Sequence, residues 1–222
     1  MKLETEATKT FILFSKPMTC ISSAIFGGGI KTNVSTIANI TIPKDLEVSV
    51  DLMPDYCRKT LSLARQQVKT SVVLLTAVPQ TYLGYSKCQK CFVTAGLGNV
   101  SPLNPEKVWD EKSNSIVSYL PGTINCIIVL DDSLTPSALI EGYGIAKMTI
   151  AEVIKEWCAV KKLPPGVGTT TDCTALLCPK NGPKLRFAGL GTKVGSDIST
   201  MAREATVNAI SHKYPNWFQN SK

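Results

Sequence analysis

Two short segments of the sequence hold the side chains best suited to chemistry. Gly122-Thr123-Ile124-Asn125 opens one apolar run, and Gly168-Thr169-Thr170-Thr171-Asp172 stands directly before another. Hydroxyl, amide and carboxylate groups are therefore concentrated at the starts of two predicted strands. Proteins commonly place reacting groups on loops at the end of a rigid sheet. We therefore expect these two segments to meet at one edge of a sheet.

The candidate catalytic residues are chosen by the chemistry of their side chains. Asp172 is suited to act as a base or to orient a hydroxyl, with Thr169 or Thr171 as its partner. Asn125 and Asn99 carry amide N–H groups that are suited to stabilise a developing oxyanion. The loop that ends at Asp172 is equally well explained as a capped turn, in which the carboxylate accepts from backbone donors. The residue types leave both interpretations open.

A glycine run, Gly27-Gly28-Gly29, follows Ser22-Ser23 and forms a second candidate binding element. It is not a phosphate-binding loop, because Ile30 separates the last glycine from Lys31-Thr32. The run is either a tight turn that requires positive φ or a place where the backbone approaches a large flat ligand. The sequence favours neither alternative.

The cysteines do not form a convincing metal site. The chain has eight cysteines and one histidine, and Cys88-x-x-Cys91 is the only close pair of cysteines. A structural zinc site needs two further ligands, and the acidic residues show no ligand spacing. We therefore expect no metal and no required cofactor. Most of the cysteines are expected to be buried thiols that behave as small hydrophobic side chains.

Strands and helices follow one another along the chain and predict a mixed α/β (α+β) fold in a single domain over residues 1–222. Thr135 and Pro136 are suited to begin a long helix that ends near Val160, and Ser196 is suited to cap the last helix. A surface loop is predicted over 97–115. The predicted strands are 11–14, 20–26, 37–42, 71–77, 91–97, 123–131, 174–178 and 185–188, and a further helix is predicted over 54–68.

Composition narrows the classes of function. The chain has 222 residues, of which 44% are hydrophobic, and a net charge of +7. Its basic residues are scattered and lack interleaved aromatic side chains, which argues against nucleic-acid binding. No apolar run approaches the roughly 18 residues of a membrane helix. The polar start lacks the apolar core of a secretory signal, so we expect a cytoplasmic protein. A homo-oligomer is compatible with the sequence.

Several motifs, taken in order, resemble the adenosylcobinamide amidohydrolase family over roughly Ser22 to Ile210. They are Ser22-Ser23 before the glycine run, Leu75-Thr76-Ala77, Thr94-Ala95-Gly96-Leu97 with Asn99, Gly122-Thr123-Ile124-Asn125, Gly168-Thr169 with Thr171-Asp172, and Gly191-Thr192-Lys193-Val194-Gly195 before the last helix. The resemblance implies hydrolysis of the amide between the aminopropanol arm and the corrin ring of adenosylcobinamide. The products would be adenosylcobyric acid and 1-amino-2-propanol, in a corrinoid salvage step of cobalamin biosynthesis found in archaea and some bacteria.

The resemblance also implies a surface that binds the corrinoid. The expected contact residues are Ser22, Ser23, Gly27, Gly28, Gly29, Thr76, Thr94 and Thr123. A weaker likeness to the self-cleaving aminopeptidases and ornithine acetyltransferases implies stacked mixed β-sheets flanked by α-helices. Autoproteolysis is not expected, because Gly122-Thr123 lies at the start of a strand. The alternative functions are a non-catalytic corrinoid-binding protein and an amidase of the same fold with another substrate.

Overall fold

The computed structural model describes residues 1–43, 52–105, 122–215 and 217. In this part of the chain there are ten strands and three α-helices. In chain order they are β1 (Lys2–Thr5), β2 (Lys9–Ser22), β3 (Gly29–Thr41), α1 (Met53–Leu63), β4 (Ser71–Thr76), β5 (Gly84–Tyr85), β6 (Cys91–Ala95), β7 (Ile124–Val129), β8 (Ser133–Leu134), α2 (Pro136–Val160), β9 (Cys173–Pro179), β10 (Lys184–Leu185) and α3 (Lys193–Lys213).

Eight of the strands form one mixed sheet. The order across it is β4-β3-β2-β9-β7-β6-β5. The strand β1 pairs with the first half of β2, on the same side of β2 on which β9 pairs with the second half. The pairs β3/β4 and β7/β9 are parallel, and the other pairs in this sheet are antiparallel. Because of these directions, β7 and β9 begin where β2 and β6 end. We call this end of the sheet the site edge.

The sheet folds back on itself, so that its two halves pack face to face. One buried cluster joins residues of β2, β3 and β4 to residues of β6, β7 and β9. Examples are Ile37 and Leu74 from the first half with Ile127 and Leu177 from the second. The alternation of side chains along each strand places these residues on the inner faces. The predicted mixed α/β fold is confirmed, and the stacked sheets are two halves of one sheet.

Helices cover both outer faces of the folded sheet. The helices α2 and α3 pack on β6, β7 and β9, and α1 packs on β2, β3 and β4. An ion pair between Arg203 and Glu156, with N–O distances of 2.9 and 2.8 Å, joins α3 to α2. No helix among the described residues is long and apolar enough to span a membrane. The buried side chains of α2 and α3 pack in one cluster with those of β6, β7 and β9.

Two predicted boundaries differ because of local hydrogen bonds. The helix predicted over 54–68 ends at Leu63, since Arg65 adopts a left-handed φ of 56° and Gln66 N–H donates to Leu61 O at 2.8 Å. Such a bond closes a helix end. The last helix begins at Lys193 instead of after Ser196, because the Thr192 hydroxyl accepts from Gly195 N–H at 3.1 Å. The predicted cap was therefore one turn late.

The predicted strands over 11–14 and 20–26 are one strand, β2, which ends at Ser22. Its pairing with β3 shifts between Leu13 and Met18, where Pro17 removes a donor from the ladder. The strand predicted over 37–42 begins much earlier, at Gly29. The strand predicted over 185–188 is only the short exposed β10. Of the loop predicted over 97–115, residues 106–115 lie outside the described residues.

All eight cysteines lie in described parts of the chain, and all are free thiols. Cys88 is exposed and the other seven are buried. Burial raises the pKa of Cys20 to about 12 and the pKa of Cys57 and of Cys173 to about 11. A protonated and enclosed thiol is a poor nucleophile. The buried cysteines are therefore expected to be unreactive in the folded protein.

We predict that a maleimide labels one thiol per native chain and eight after unfolding. Cys88 is the single exposed cysteine, so the Cys88→Ser variant should show no fast native labelling. Intact mass at successive times of labelling measures the count. Rapid native labelling of two or more thiols would contradict the burial of the remaining seven.

Candidate active site

Three loops meet at the site edge. The loop after β6 pairs with the loop before β9 through Ser101, whose N–H donates to Gly168 O at 2.9 Å and whose carbonyl accepts from Val167 N–H at 2.9 Å. The residues before β7 lie beside both loops. We call Asn99, Gly122, Thr123 and residues 168–172 the loop cluster. The two segments that the sequence singled out are thus brought together.

Asp172 holds the loop cluster together. Its Oδ1 accepts from Ile124 N–H at 2.8 Å and from the Thr169 hydroxyl, and its Oδ2 accepts from Thr169 N–H at 2.8 Å. The carboxylate also lies against Gly168, where a Cβ atom would come within 2.5 Å of Oδ2. The turn-capping interpretation of Asp172 therefore describes part of its role. An ionised carboxylate has about four acceptor positions, so the three bonds leave one for a further partner.

Two hydroxyls lie beside the carboxylate. Thr123 Oγ1 and Thr171 Oγ1 are 2.8 Å apart, and the Thr123 hydroxyl donates to Gly122 O at 2.8 Å. Thr123 is buried, whereas Thr171 is exposed. The Thr171 hydroxyl is therefore held by Thr123 and by Gly122 O, which accepts from it at 3.3 Å. This arrangement suits a group that positions a polar ligand or a water molecule.

Asn99 closes the cluster from the loop after β6. Its Nδ2 donates to Thr170 Oγ1 at 3.4 Å, a long and weak hydrogen bond. Its Oδ1 is buried, has no hydrogen-bond partner among the described residues, and would lie 1.9 Å from a Cβ atom at position 122. Gly122 is therefore required for this approach. Asn99 remains positioned to donate an amide hydrogen at the surface.

Ser22 and Ser23 lie at the end of β2, next to the start of β9. The Ser22 hydroxyl accepts from Ala24 N–H at 3.0 Å and lies 3.9 Å from the Cys173 thiol. The Ser23 hydroxyl accepts from Thr174 N–H at 3.2 Å. Both serines therefore fasten the β2–β3 turn to β9. Ser23 is exposed and Ser22 is buried, so only Ser23 presents its side chain at the surface.

The glycine run forms the turn between β2 and β3. Gly27 and Gly29 have φ values of 72° and 82°. A Cβ atom at Gly27 would lie 2.4 Å from Ser71 O, so the turn itself accounts for this glycine. Gly28 and Gly29 are exposed, and nothing lies within 4 Å of a Cβ atom at Gly29. A Cβ atom at Gly28 would lie 2.1 Å from Ala24 O, so the turn accounts for this glycine as well, and the ligand interpretation stays available for Gly29.

A buried polar network lies beneath the loop cluster. The Asn125 amide donates to Asn39 Oδ1 at 2.8 Å and to Leu75 O at 2.9 Å. Asn39 in turn donates to Gln80 Oε1 at 3.2 Å and to Thr94 Oγ1 at 3.1 Å. All four of these polar side chains are at most 2% exposed. The network therefore links the two stacked halves of the sheet.

This network changes the roles of three predicted site residues. Both amide hydrogens of Asn125 are engaged inside the protein, so it does not present a donor to an oxyanion at the surface. Thr94 and Thr76 are also interior, at 0% and 1% exposure, and do not reach a ligand at the surface. Both threonines lie on the inner faces of the stacked sheet, where side chains are enclosed. Asn39 and Gln80 were not among the predicted site residues. Asn39 could have been found as a polar residue within the apolar strand predicted over 37–42.

Two cavities among the described residues lie away from the loop cluster. One, about 550 Å³, opens at the opposite end of the sheet, where Phe14, Met18 and Val129 contribute to its lining. A second, about 330 Å³, is lined by Tyr85, Asn208, Ser211 and His212. The described residues contain no group of three or more His, Cys, Asp or Glu side chains that could hold a metal. Among the described residues, the loop cluster is a polar site at the surface.

A half-buried carboxylate thus lies beside hydroxyl groups at one end of the stacked sheet, an arrangement that suits general-base chemistry. A family model of the adenosylcobinamide amidohydrolases (CbiZ) matches residues 2–216. The match covers nearly all of the 222 residues, and the chain belongs to this family. The resemblance inferred from the motifs is confirmed. A sequence search against curated proteins finds no significant match.

We predict that Asp172→Asn lowers the stability of the folded chain by about 1–3 kcal/mol. The substituted amide keeps one oxygen acceptor but turns an NH₂ group towards a backbone donor, so at least one hydrogen bond is lost. Urea unfolding measures the change. Thr169→Val, which removes only the hydroxyl bond to the carboxylate, should cost less. If Asp172→Asn has the same urea midpoint of unfolding as the wild type, the three hydrogen bonds do not stabilise the fold.

We predict that Asn125→Ala destabilises the chain by about 2–4 kcal/mol. The substitution leaves Asn39 Oδ1 and Leu75 O without their donor in the interior, and each unsatisfied buried group costs about 1–3 kcal/mol. The matched control is Asn208→Ala, since Asn208 Nδ2 donates to Tyr85 O at 2.7 Å at the surface. Equal unfolding midpoints for the two variants would contradict the proposed role of the buried network.

Proposed function

We propose that this chain hydrolyses the amide that joins the aminopropanol arm to the corrin ring of adenosylcobinamide. The products are adenosylcobyric acid and 1-amino-2-propanol, and the step belongs to corrinoid salvage. The single observation that supports it best is the family match over residues 2–216, which includes every residue of the loop cluster. The grouping of a carboxylate, hydroxyls and an amide at the site edge fits this chemistry.

In the proposed reaction a water molecule attacks the carbonyl carbon of the amide. Asp172 takes the proton from this water through its remaining acceptor position, while its other bonds hold it in place. A carbon–oxygen bond forms, and the carbon–nitrogen bond breaks as the proton passes to the leaving amine. Water is the only co-reactant, so the step needs no electron transfer.

The neighbouring groups support this step. The exposed Thr171 hydroxyl, fixed by Thr123 at 2.8 Å, orients the attacking water. Thr169 orients the carboxylate, to which it donates both its N–H and its hydroxyl. Asn99 donates an amide hydrogen to the oxygen that becomes negative in the tetrahedral intermediate. Asn125 lies in the buried network beneath the loop cluster and does not contact the substrate in this proposal.

The corrinoid lies against the β2–β3 turn in this proposal. Ser23, Gly28 and Gly29 are exposed at the same end of the sheet as the loop cluster, and the open space beside Gly29 leaves room for a large ligand. We expect the adenosylated corrinoid to be preferred over the form without the adenosyl group. Comparing rates for the two forms with the purified protein measures this preference.

The decisive test is conversion of adenosylcobinamide by purified protein, with the products identified by mass. We predict that Asp172→Asn reduces turnover per folded molecule by about 100-fold or more, because the amide cannot accept the proton. The Thr169→Val variant retains the carboxylate, so its turnover should fall far less. The rates are measured well below the unfolding temperature of each variant, which separates chemistry from stability.

Two results would contradict the proposal. If adenosylcobinamide stays intact after incubation with folded wild-type protein, the proposed hydrolase function is ruled out. The remaining alternatives are then a corrinoid-binding protein and an amidase for another substrate. Equal turnover for Asp172→Asn and wild type would show that Asp172 is not the base in the reaction.

A further inference from the structure

The cavity at the end of the sheet opposite the loop cluster lies where β2 changes its partner strand. The strand β1 pairs with residues 10–13 of β2, and β9 pairs with residues 18–22 on the same side. Residues 14–17 lie between these two partners and line the cavity, whose volume is about 550 Å³. Small-molecule sites commonly have volumes of about 300–1,000 Å³. A gap in the strand pairing therefore leaves room for a ligand.

The pairing of β2 with β3 is also irregular at this gap. The register shifts between Leu13 and Met18, so that residues 14–17 stand opposite Ser35 alone. Extra residues of this kind bend a strand, and Pro17 has no N–H to donate to a neighbouring strand. The cavity is thus produced by the path of the backbone and does not depend on the rotamer of one side chain.

The floor of the cavity is apolar. Met18 from β2 and Val129 and Leu130 from the end of β7 contribute to the lining, and each is only 5–7% exposed. Phe14 also lines the cavity and is half-buried. Covering such side chains with the apolar part of a ligand removes more of their surface from water, which favours binding.

Two lysines give the rim of the cavity a positive charge. Lys180 Nζ donates to Asn33 Oδ1 at 2.7 Å, which uses one of the three donors of its ammonium group. Lys16 makes no hydrogen bond or ion pair with the described residues. The one carboxylate in the lining, that of Asp131, forms an ion pair with Lys90. Neither rim lysine is therefore neutralised by a carboxylate of the described chain.

We propose that this cavity binds an organic anion. The apolar body of the ligand lies on Met18, Val129 and Leu130, and its acidic group, a carboxylate, phosphate or sulfonate, lies between Lys16 and Lys180. Hydrogen bonds from an ammonium group to an anionic oxygen are stronger than those between neutral groups. A cationic ligand is repelled by the same two lysines, so the rim selects for negative charge.

The cavity is a second site, separate from the loop cluster. Asp172 directly precedes β9, and Pro179 at the end of β9 lines the cavity. Seven residues of extended strand between them correspond to about 23 Å. A ligand that fills the cavity does not reach Asp172, so this inference does not depend on the proposed hydrolysis.

The test compares two fluorescent probes that differ by one acidic group. 8-Anilinonaphthalene-1-sulfonate carries a sulfonate, and N-phenyl-1-naphthylamine has the same rings without it. Fluorescence titration of the native protein should show saturable binding of both probes. The Lys16→Glu variant should raise Kd for the sulfonate probe by about 10-fold and leave Kd for the neutral probe within about 2-fold of wild type, because only the charge of the rim changes. Lys16→Gln should give a smaller increase in the same direction.

A second variant and a control locate the bound probe. Ser15→Trp places a large side chain in the cavity from an exposed position and should raise Kd for both probes by about 10-fold. Lys59→Glu, an equivalent charge reversal at an exposed position of α1 outside the cavity lining, should leave both Kd values unchanged. Urea unfolding of each variant checks that the fold is retained.

Three results would overturn the proposal. One is the absence of saturable binding of the sulfonate probe by wild type. Another is a Kd for both probes that Ser15→Trp leaves unchanged, since the probes then bind elsewhere. The third is an equal effect of Lys16→Glu on the charged and the neutral probe, which would show that the cavity does not select an anion.

Discussion

The hydrogen bonds between Asn125 and the opposite half of the sheet are the constraint on which the site depends. Two apolar sheet faces pack with little preference for one lateral position, because hydrophobic burial is non-directional. The Asn125 amide removes that freedom, since its bonds to Asn39 Oδ1 and Leu75 O are short and directional. Breaking them would leave acceptors unpaired in the interior. The relative position of β3, β4 and β7 is therefore specific.

The loop cluster lies on these strands, whose relative position is fixed. Asp172 joins the loop before β9 to the first residue of β7, directly above the inner-face position of Asn125. The same carboxylate is thus a structural link and the strongest candidate for chemistry. These two roles are compatible, because a base is effective only when its position is held by other bonds. Gly122 and Gly168 complete the arrangement, since a side chain at either would displace Asn99 or Asp172.

The sequence alone determined the features that depend on neighbours along the chain. The apolar runs predicted β4 and β7, Thr135 and Pro136 predicted the start of α2, and the order of motifs identified the family. Tertiary structure alone decided that Asn125 and Thr94 face inward and that Ile30 faces outward. The register of strand pairing and the folding back of the sheet set those directions. Both arise from contacts between residues far apart in the chain, which local periodicity does not contain.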